Sequence, residues 1–172
     1  TNLCRKQLAT GVSYRIAMVY PAYTMLAEAR RLVHEGALGT LRRFTFTYTL
    51  GWMARRVENL GNHQALWRVD EHRNGPAGVV TDLGCHCQFA CEWLTGLRIV
   101  EVAADGHPAV PGRLMPDDCA VLVRTESGPH GVFLLSQVAT GHREGLAFEL
   151  TGDKAALRWC QSEPARLVLT DL

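Results

Sequence analysis

Asp82 and His86 stand four residues apart in Asp82-Leu83-Gly84-Cys85-His86. They lie within Val79 to Gly96, where the apolar residues Val79, Leu83, Phe89, Ala90, Trp93 and Leu94 recur at roughly helical spacing. On a helix, positions i and i+4 share a face, so the carboxylate and the imidazole can reach one reacting group or each other. An imidazole titrates near neutrality and can take or give a proton. A neighbouring carboxylate fixes its tautomer or favours its charged form. The same spacing also suits an ordinary surface Asp–His pair with no chemistry. A second reactive set overlaps the first: Cys85, His86, Cys87 and Cys91. Cys87 and Cys91 share a helix face and could supply two metal ligands, but no second Cys-x-x-Cys or His pair at structural-zinc spacing accompanies them. Small buried thiols are the simpler reading, and no metal is expected.

The elements that must position these groups are legible in outline. Tyr14 to Tyr20 reads as strand. Tyr23 to Glu35 reads as an amphipathic helix with Leu26, Ala29, Leu32 and Val33 on one face, stopped by Gly36 and Gly39. Leu41 to Trp52 alternates, with Phe44, Phe46 and Tyr48 on one side, as a half-buried strand does. Met53 to Gly78 reads as a long polar loop with two short helical possibilities, and loops of that length in a compact domain are often functional. After the Asp–His helix, which Gly96 should stop, come short strands at Ile99 to Ala104, Cys119 to Thr125, Gly131 to Thr140, Leu146 to Thr151, Ala156 to Trp159 and Leu167 to Thr170. Turn signals between consecutive runs imply antiparallel pairing. The expected fold is α+β: an open, mainly antiparallel sheet with helices on one face. The other face should then be uncovered. Phe44, Phe46 and Tyr48, with Leu122, Val132, Leu134 and Phe148, are expected to make it an apolar interface, unless the chain covers both faces itself.

Composition fits a single ordinary domain. The 172 residues suffice for a sizeable core, and 47% hydrophobic and 20% charged residues are near globular averages. A net charge of +1 points to neither nucleic acid nor an anionic membrane as partner. No apolar run approaches the ~20 residues of a membrane-spanning helix. Three of the six cysteines crowd one helix, which is not a disulfide framework, so a reduced cytoplasmic setting is expected.

Upstream of the Asp–His segment run Gln64-Ala65-Leu66-Trp67-Arg68 and Asn74-Gly75-Pro76-Ala77-Gly78. The order Trp-Arg, Gly-rich turn, Asp-x-Gly-x-His resembles the C-terminal domain of the Gfo/Idh/MocA oxidoreductases. Glu28 to Val33 followed by Glu35-Gly36-Ala37-Leu38-Gly39-Thr40-Leu41 looks like that family's helix, turn and first sheet strand. Ser136-Gln137-Val138-Ala139 and Leu150 to Leu157 look like its later strands and hairpin. The likeness covers about Tyr20 to Leu169; no single piece is specific, but their order and spacing together are.

The resemblance implies a glyceraldehyde-3-phosphate dehydrogenase-like C-terminal domain that oxidises a sugar, polyol or related carbinol by hydride transfer to NAD or NADP. It implies His86 as general acid/base, with Asp82 orienting it or sharing the substrate hydroxyl. Trp67 and Arg68 stand where the family shows a Trp-Arg pair, and Arg68 either grips a polar substrate group or makes a structural salt bridge. Gln137, Tyr23 and His142 are weaker pocket candidates; Tyr23 matches no family motif and suits helix-entry packing, and His142 suits an exposed loop. The family's Gly-rich dinucleotide turn and its Glu-Lys-Pro motif are not found in this sequence. Residues 1–19 are therefore expected to be a remnant of the dinucleotide-binding domain and 20–172 the substrate-binding and oligomerisation domain. By itself the chain is expected to be inactive, with the cofactor bound mainly by the other domain. The family likeness also implies a small-molecule substrate and a homodimer or homotetramer through the sheet face. Two other classes stay open: a catalytically silent dimerisation module, and a metal-binding protein using the Cys/His cluster.

Overall fold

The computed structural model describes residues 2–143 and 145–172. Five helices, α1 (Asn2–Thr10), α2 (Thr24–His34), α3 (His63–Arg68), α4 (Glu71–Asn74) and α5 (Cys85–Thr95), accompany seven strands. The strands are β1 (Leu41–Thr49), β2 (Ile99–His107), β3 (Asp118–Thr125), β4 (His130–Ser136), β5 (Gly145–Gly152), β6 (Ala155–Cys160) and β7 (Leu167–Asp171). They form one open sheet in the order β2-β3-β4-β1-β5-β6-β7. All neighbours are antiparallel except β1 and β4, which run parallel. The α+β open sheet expected from the sequence is thus what forms. Sequential turns describe β2-β3-β4 and β5-β6-β7, but β4 and β5 are not neighbours, because β1 inserts between them.

Alternation in β1 decides which face is covered. Phe44 and Phe46 are 1% and 0% exposed, packed with Phe133, Phe148 and Trp159 under α2 and α5. Burying each such ring is worth about 2–3 kcal/mol, far more than hiding the threonines that alternate with them. The helices answer with Leu26 and Ala29 of α2 and Cys87, Ala90, Cys91 and Leu94 of α5, all 0% exposed. This corrects the expectation for the open face: Phe44, Phe46, Tyr48 and Phe148 belong to the covered layer. The opposite face carries Thr45 and Thr47, paired in register with Val132 and Leu134 of β4, and Leu122 of β3. Leu122 and Leu134 are exposed there, so the open face is apolar only in a shorter stretch.

Tyr14 to Tyr20 is not a strand. Residues 11–18 have no regular structure and Tyr20–Ala22 is a 3₁₀ turn led by Pro21. Tyr14, Ile16 and Val19 are exposed, so their strand-forming side chains find no sheet edge to pack on. Two other boundaries matter for the site. β1 ends at Thr49 and β4 at Ser136, earlier than the expected Trp52 and Thr140, so Trp52 and Gln137 lie on chain leaving the sheet. Among the described residues, no helix is long and apolar enough to cross a membrane.

Candidate active site

The segment that reads as polar loop folds into a frame for Asp82. Asn62 caps α3 by accepting from the amides of Gln64 (2.9 Å) and Ala65 (3.2 Å), and α3 delivers Arg68 at its last turn. Asp70 caps α4 in the same way through the His72 amide (2.9 Å). Buried Asn74 donates to the carbonyls of Arg68 and Gly78, 3.1 Å each, tying the end of α3 to the approach of the Asp82 segment. Gly78, with φ +53, passes so close to the Pro116 carbonyl that a Cβ would sit 2.2 Å from its oxygen. Val80–Gly84 then forms a π turn before α5 begins. Such wide turns recur at functional sites. Gly84 lets this turn lie against the sheet: a Cβ there would meet Leu135 at 3.3 Å and Val80 at 3.2 Å.

Asp82 is held from two sides. Arg68 donates from Nε to Oδ2 at 2.7 Å and from Nη2 to Oδ1 at 3.3 Å. Gln137, buried just past β4, donates its amide to Oδ2. Arg68 also gives Nη1 to the Gln64 backbone oxygen (2.9 Å) and side-chain oxygen (3.0 Å). Its guanidinium lies 4.1 Å from the Trp67 ring centre and 5.5 Å from that of Trp52. Trp67 in turn donates its indole N–H to Gln64 (3.2 Å).

His86 sits one turn on. Its ring meets those of Tyr20 and Tyr48 edge to face, with centroids 5.6 and 5.5 Å apart. Nδ1 is buried and, among the described residues, has no hydrogen-bond partner. Burial holds the imidazole below its ordinary pKa, and the Asp82 charge pulls the other way without overcoming it. Asp82 acts on His86 through space: its hydrogen bonds go to Arg68 and Gln137, not to the ring. Burial pushes the phenols of Tyr20 and Tyr48 up, helped at Tyr20 by the neighbouring Tyr48 and at Tyr48 by the Asp82 charge, so both stay neutral.

Asp82, His86, Arg68, Trp67 and Gln137 therefore converge. Tyr23 does not join them: at the entry of α2 its phenol accepts from Gln161 (3.0 Å) and its ring packs on Trp159. His142 lies beyond β1, with Nδ1 3.0 Å from the Thr49 hydroxyl. The Cys/His cluster divides, because Cys87 and Cys91 point into the core while Cys85 is exposed. Burial raises both core thiols, Cys91 to about 12, the opposite of what a thiolate ligand needs. Sequence reasoning missed Tyr20, Tyr48 and Trp52, and also a buried ion cluster beside the site. Arg113 donates to Glu58 (3.0 Å), to Asp117 (2.9 Å) and to the Arg55 carbonyl (2.9 Å). The Asp117 carbonyl then accepts from the Gln137 amide (3.0 Å), and the Gln137 carbonyl from the Met53 amide (3.0 Å), which fixes Gln137 under Asp82.

An open, one-sided helix-on-sheet domain with this Arg-Asp-Gln frame beside a histidine defines the class. The chain belongs to the GFO/IDH/MocA C-terminal domain family, whose pattern matches residues 26–158. It is 27% identical over 165 residues to the uncharacterized oxidoreductase YfiI of Bacillus subtilis, across 95% of this chain and 41% of that protein. It resembles the crystal structure of an inositol dehydrogenase homolog complexed with NAD+ from Azotobacter vinelandii, with a TM-score of 0.91 and 26% identity, over 99% of this chain and 44% of that one. An oxidoreductase domain protein from Kribbella flavida gives a TM-score of 0.83 and 27% identity, over 97% and 45%. The chain spans less than half the length of each of these relatives.

Proposed function

We propose that residues 20–172 form the substrate-binding and oligomerisation domain of an NAD- or NADP-dependent oxidoreductase acting on a sugar, polyol or related carbinol. On this reading residues 1–19 belong with its dinucleotide-binding domain. The observation that carries the proposal is His86, half-buried between two tyrosines, kept neutral by burial and placed beside a clamped carboxylate. These groups fit the proton side of a nicotinamide reaction: Nδ1 is a buried polar atom without a partner among the described residues, and Asp82 is an anion close enough to stabilise an imidazolium. When bound, the nicotinamide supplies the hydride acceptor for the carbinol carbon. His86 takes the hydroxyl proton as the carbonyl forms, and the Asp82 charge steadies the cation that results. Oδ1 of Asp82, which among the described residues takes only the longer Arg68 contact, keeps acceptor capacity for a substrate hydroxyl.

The test is NAD(P)+ reduction by the full-length protein across a panel of cyclic polyols and sugars that includes myo-inositol. Folded protein that reduces neither cofactor with any of them would defeat the proposal. A sharper expectation concerns pH. A general base must be neutral, and the folded pKa of His86 lies below the ordinary 6.5. Activity should therefore rise with pH through a value below 6.5 and be flat at pH 7; an acid limb in kcat/KM at or above 6.5 argues against His86 as the base.

Leu122 and Leu134, exposed on the uncovered face beside Val132, favour a homodimer or homotetramer through the sheet. Sedimentation at tens of micromolar should show it, and a monomer at that concentration would count against it. The unpaired thiols of Cys87 and Cys91, buried in the core, suit a reducing cytoplasmic setting.

A further inference from the structure

The geometry points to Arg68 and Gln137 as positioning residues that act through the Asp82 carboxylate, in place of the substrate-binding role their types suggest. This rests on the reading of Asp82 and His86 as the working pair. Arg68 is already spent. Nε and Nη2 go to Asp82 and both Nη1 hydrogens to Gln64, leaving a single Nη2 hydrogen uncommitted among the described residues. Its flat faces are engaged by Trp67 and Trp52, and its side chain is only 18% exposed. A substrate could accept from that one hydrogen, but a two-pronged grip on the guanidinium would require dismantling the set. Gln137 is 3% exposed, pinned through its backbone to Asp117 and Met53, and its amide is directed onto Oδ2.

What the two donors accomplish is visible at the carboxylate. Oδ2 takes both Arg68 Nε and Gln137, so the group cannot turn to hydrogen-bond His86 without giving up a charge-assisted bond. The guanidinium also offsets part of the negative field that Asp82 projects onto the imidazole. Among the described residues, the rings packed on the imidazole are the phenols of Tyr20 and Tyr48, both kept neutral by burial. Arg68 and Gln137 therefore set how strongly Asp82 holds a proton on His86, and they do so before any substrate arrives.

That timing gives the test. His86 can be titrated by NMR in the ligand-free chain, with folding checked by melting. Arg68→Gln removes the cation and releases Asp82 toward the ring, so the His86 midpoint should move upward. Arg68→Lys, which keeps the charge but loses the fork, should move it less. Gln137→Leu frees Oδ2 and should also raise it, and this variant carries the test if Arg68→Gln does not fold. In an Asp82→Asn background the Gln137→Leu shift should vanish, and the Arg68→Gln shift should shrink to what loss of the cation's own field leaves. A residue that only binds substrate leaves the ligand-free midpoint where it was, and a merely structural one lowers the melting temperature without moving it. Unchanged midpoints in Arg68→Gln and Gln137→Leu, or a Gln137→Leu shift that persists with Asp82→Asn, overturn the assignment. In the full-length protein with myo-inositol as probe, Arg68→Gln should lower kcat by about tenfold or more while KM holds. A KM rise with kcat intact would return Arg68 to substrate binding. The titration needs no turnover, so a failure of the oxidoreductase reading shows separately, as no reduction by the unsubstituted protein.

Discussion

On the proposed reading, His86→Ala should lower the turnover of the full-length protein by about 10²–10⁴-fold, the usual scale for losing a positioned acid/base. The loss should fall on kcat if, as proposed, the imidazole takes up its proton as the carbonyl forms. Alanine also opens the space between Tyr20 and Tyr48, whose ring edges pack on the imidazole, so some stability should be lost as well. Measuring melting temperature and turnover on the same preparations separates the two effects. A structural histidine gives a lower melting temperature with nearly normal turnover per folded molecule. Asp82→Asn keeps the volume but removes the charge that pulls the His86 pKa up. Turnover should fall and the acid limb should move to still lower pH. Unchanged turnover in His86→Ala with a substrate of the unsubstituted enzyme would remove His86 from the mechanism.

Arg113→Ala should cost about 3–5 kcal/mol of stability, the scale for breaking a buried pair and leaving its partners charged. Here two carboxylates are left, Glu58 and Asp117, with side chains 7% and 4% exposed. Denaturant unfolding at pH 7 measures the loss; a change under about 1 kcal/mol would mean that water or another cation replaces the guanidinium. The pH dependence carries its own sign. Burial alone would raise the Glu58 carboxyl, but Arg113 and the backbone outweigh it and hold it below its usual value. A depressed carboxyl contributes stability above its unfolded pKa and loses it as pH falls through the folded value. Without Arg113 only the backbone and the more distant Arg56 oppose burial, so the variant should be weakest at neutral pH and recover part of its deficit in mild acid. Because Asp117 anchors Gln137 through the backbone, the substitution should also lower turnover from a distance.

The parts of the fold visible in the sequence are those set by local periodicity. The repeats in Thr24–His34 and Cys85–Thr95 and the strands around Phe44 and Val121 need only their own neighbours to be recognised. The pair Asp82 and His86 was legible for the same reason. Alternation showed that β1 has one apolar side, but the direction it faces depends on α2 and α5, which lie elsewhere in the chain, and it was assigned to the wrong surface. Tyr14 to Tyr20 read as strand because strand-forming side chains look alike whether or not an edge is waiting for them. Glu58 and Arg113 lie 55 residues apart, and no spacing rule links them. Gln137 is recognisable only as a pocket candidate, because its place against Asp82 follows from β4 ending one residue before it.

The parallel pairing of β1 with β4 has a consequence for how the chain comes together. The sheet's middle strand precedes all the others in the chain, and neither of its partners exists until residues 130–136 and 145–152 have followed. β2, β3 and β4 can pair through short connections, as can β5, β6 and β7; the join between these two ribbons is β1 alone. Loop-closure entropy must be met before that join contributes anything, which makes docking of β1 the slow event in folding. Until then Phe44 and Phe46 stand in water on an unpaired strand, and that interval is when this domain is most exposed to aggregation.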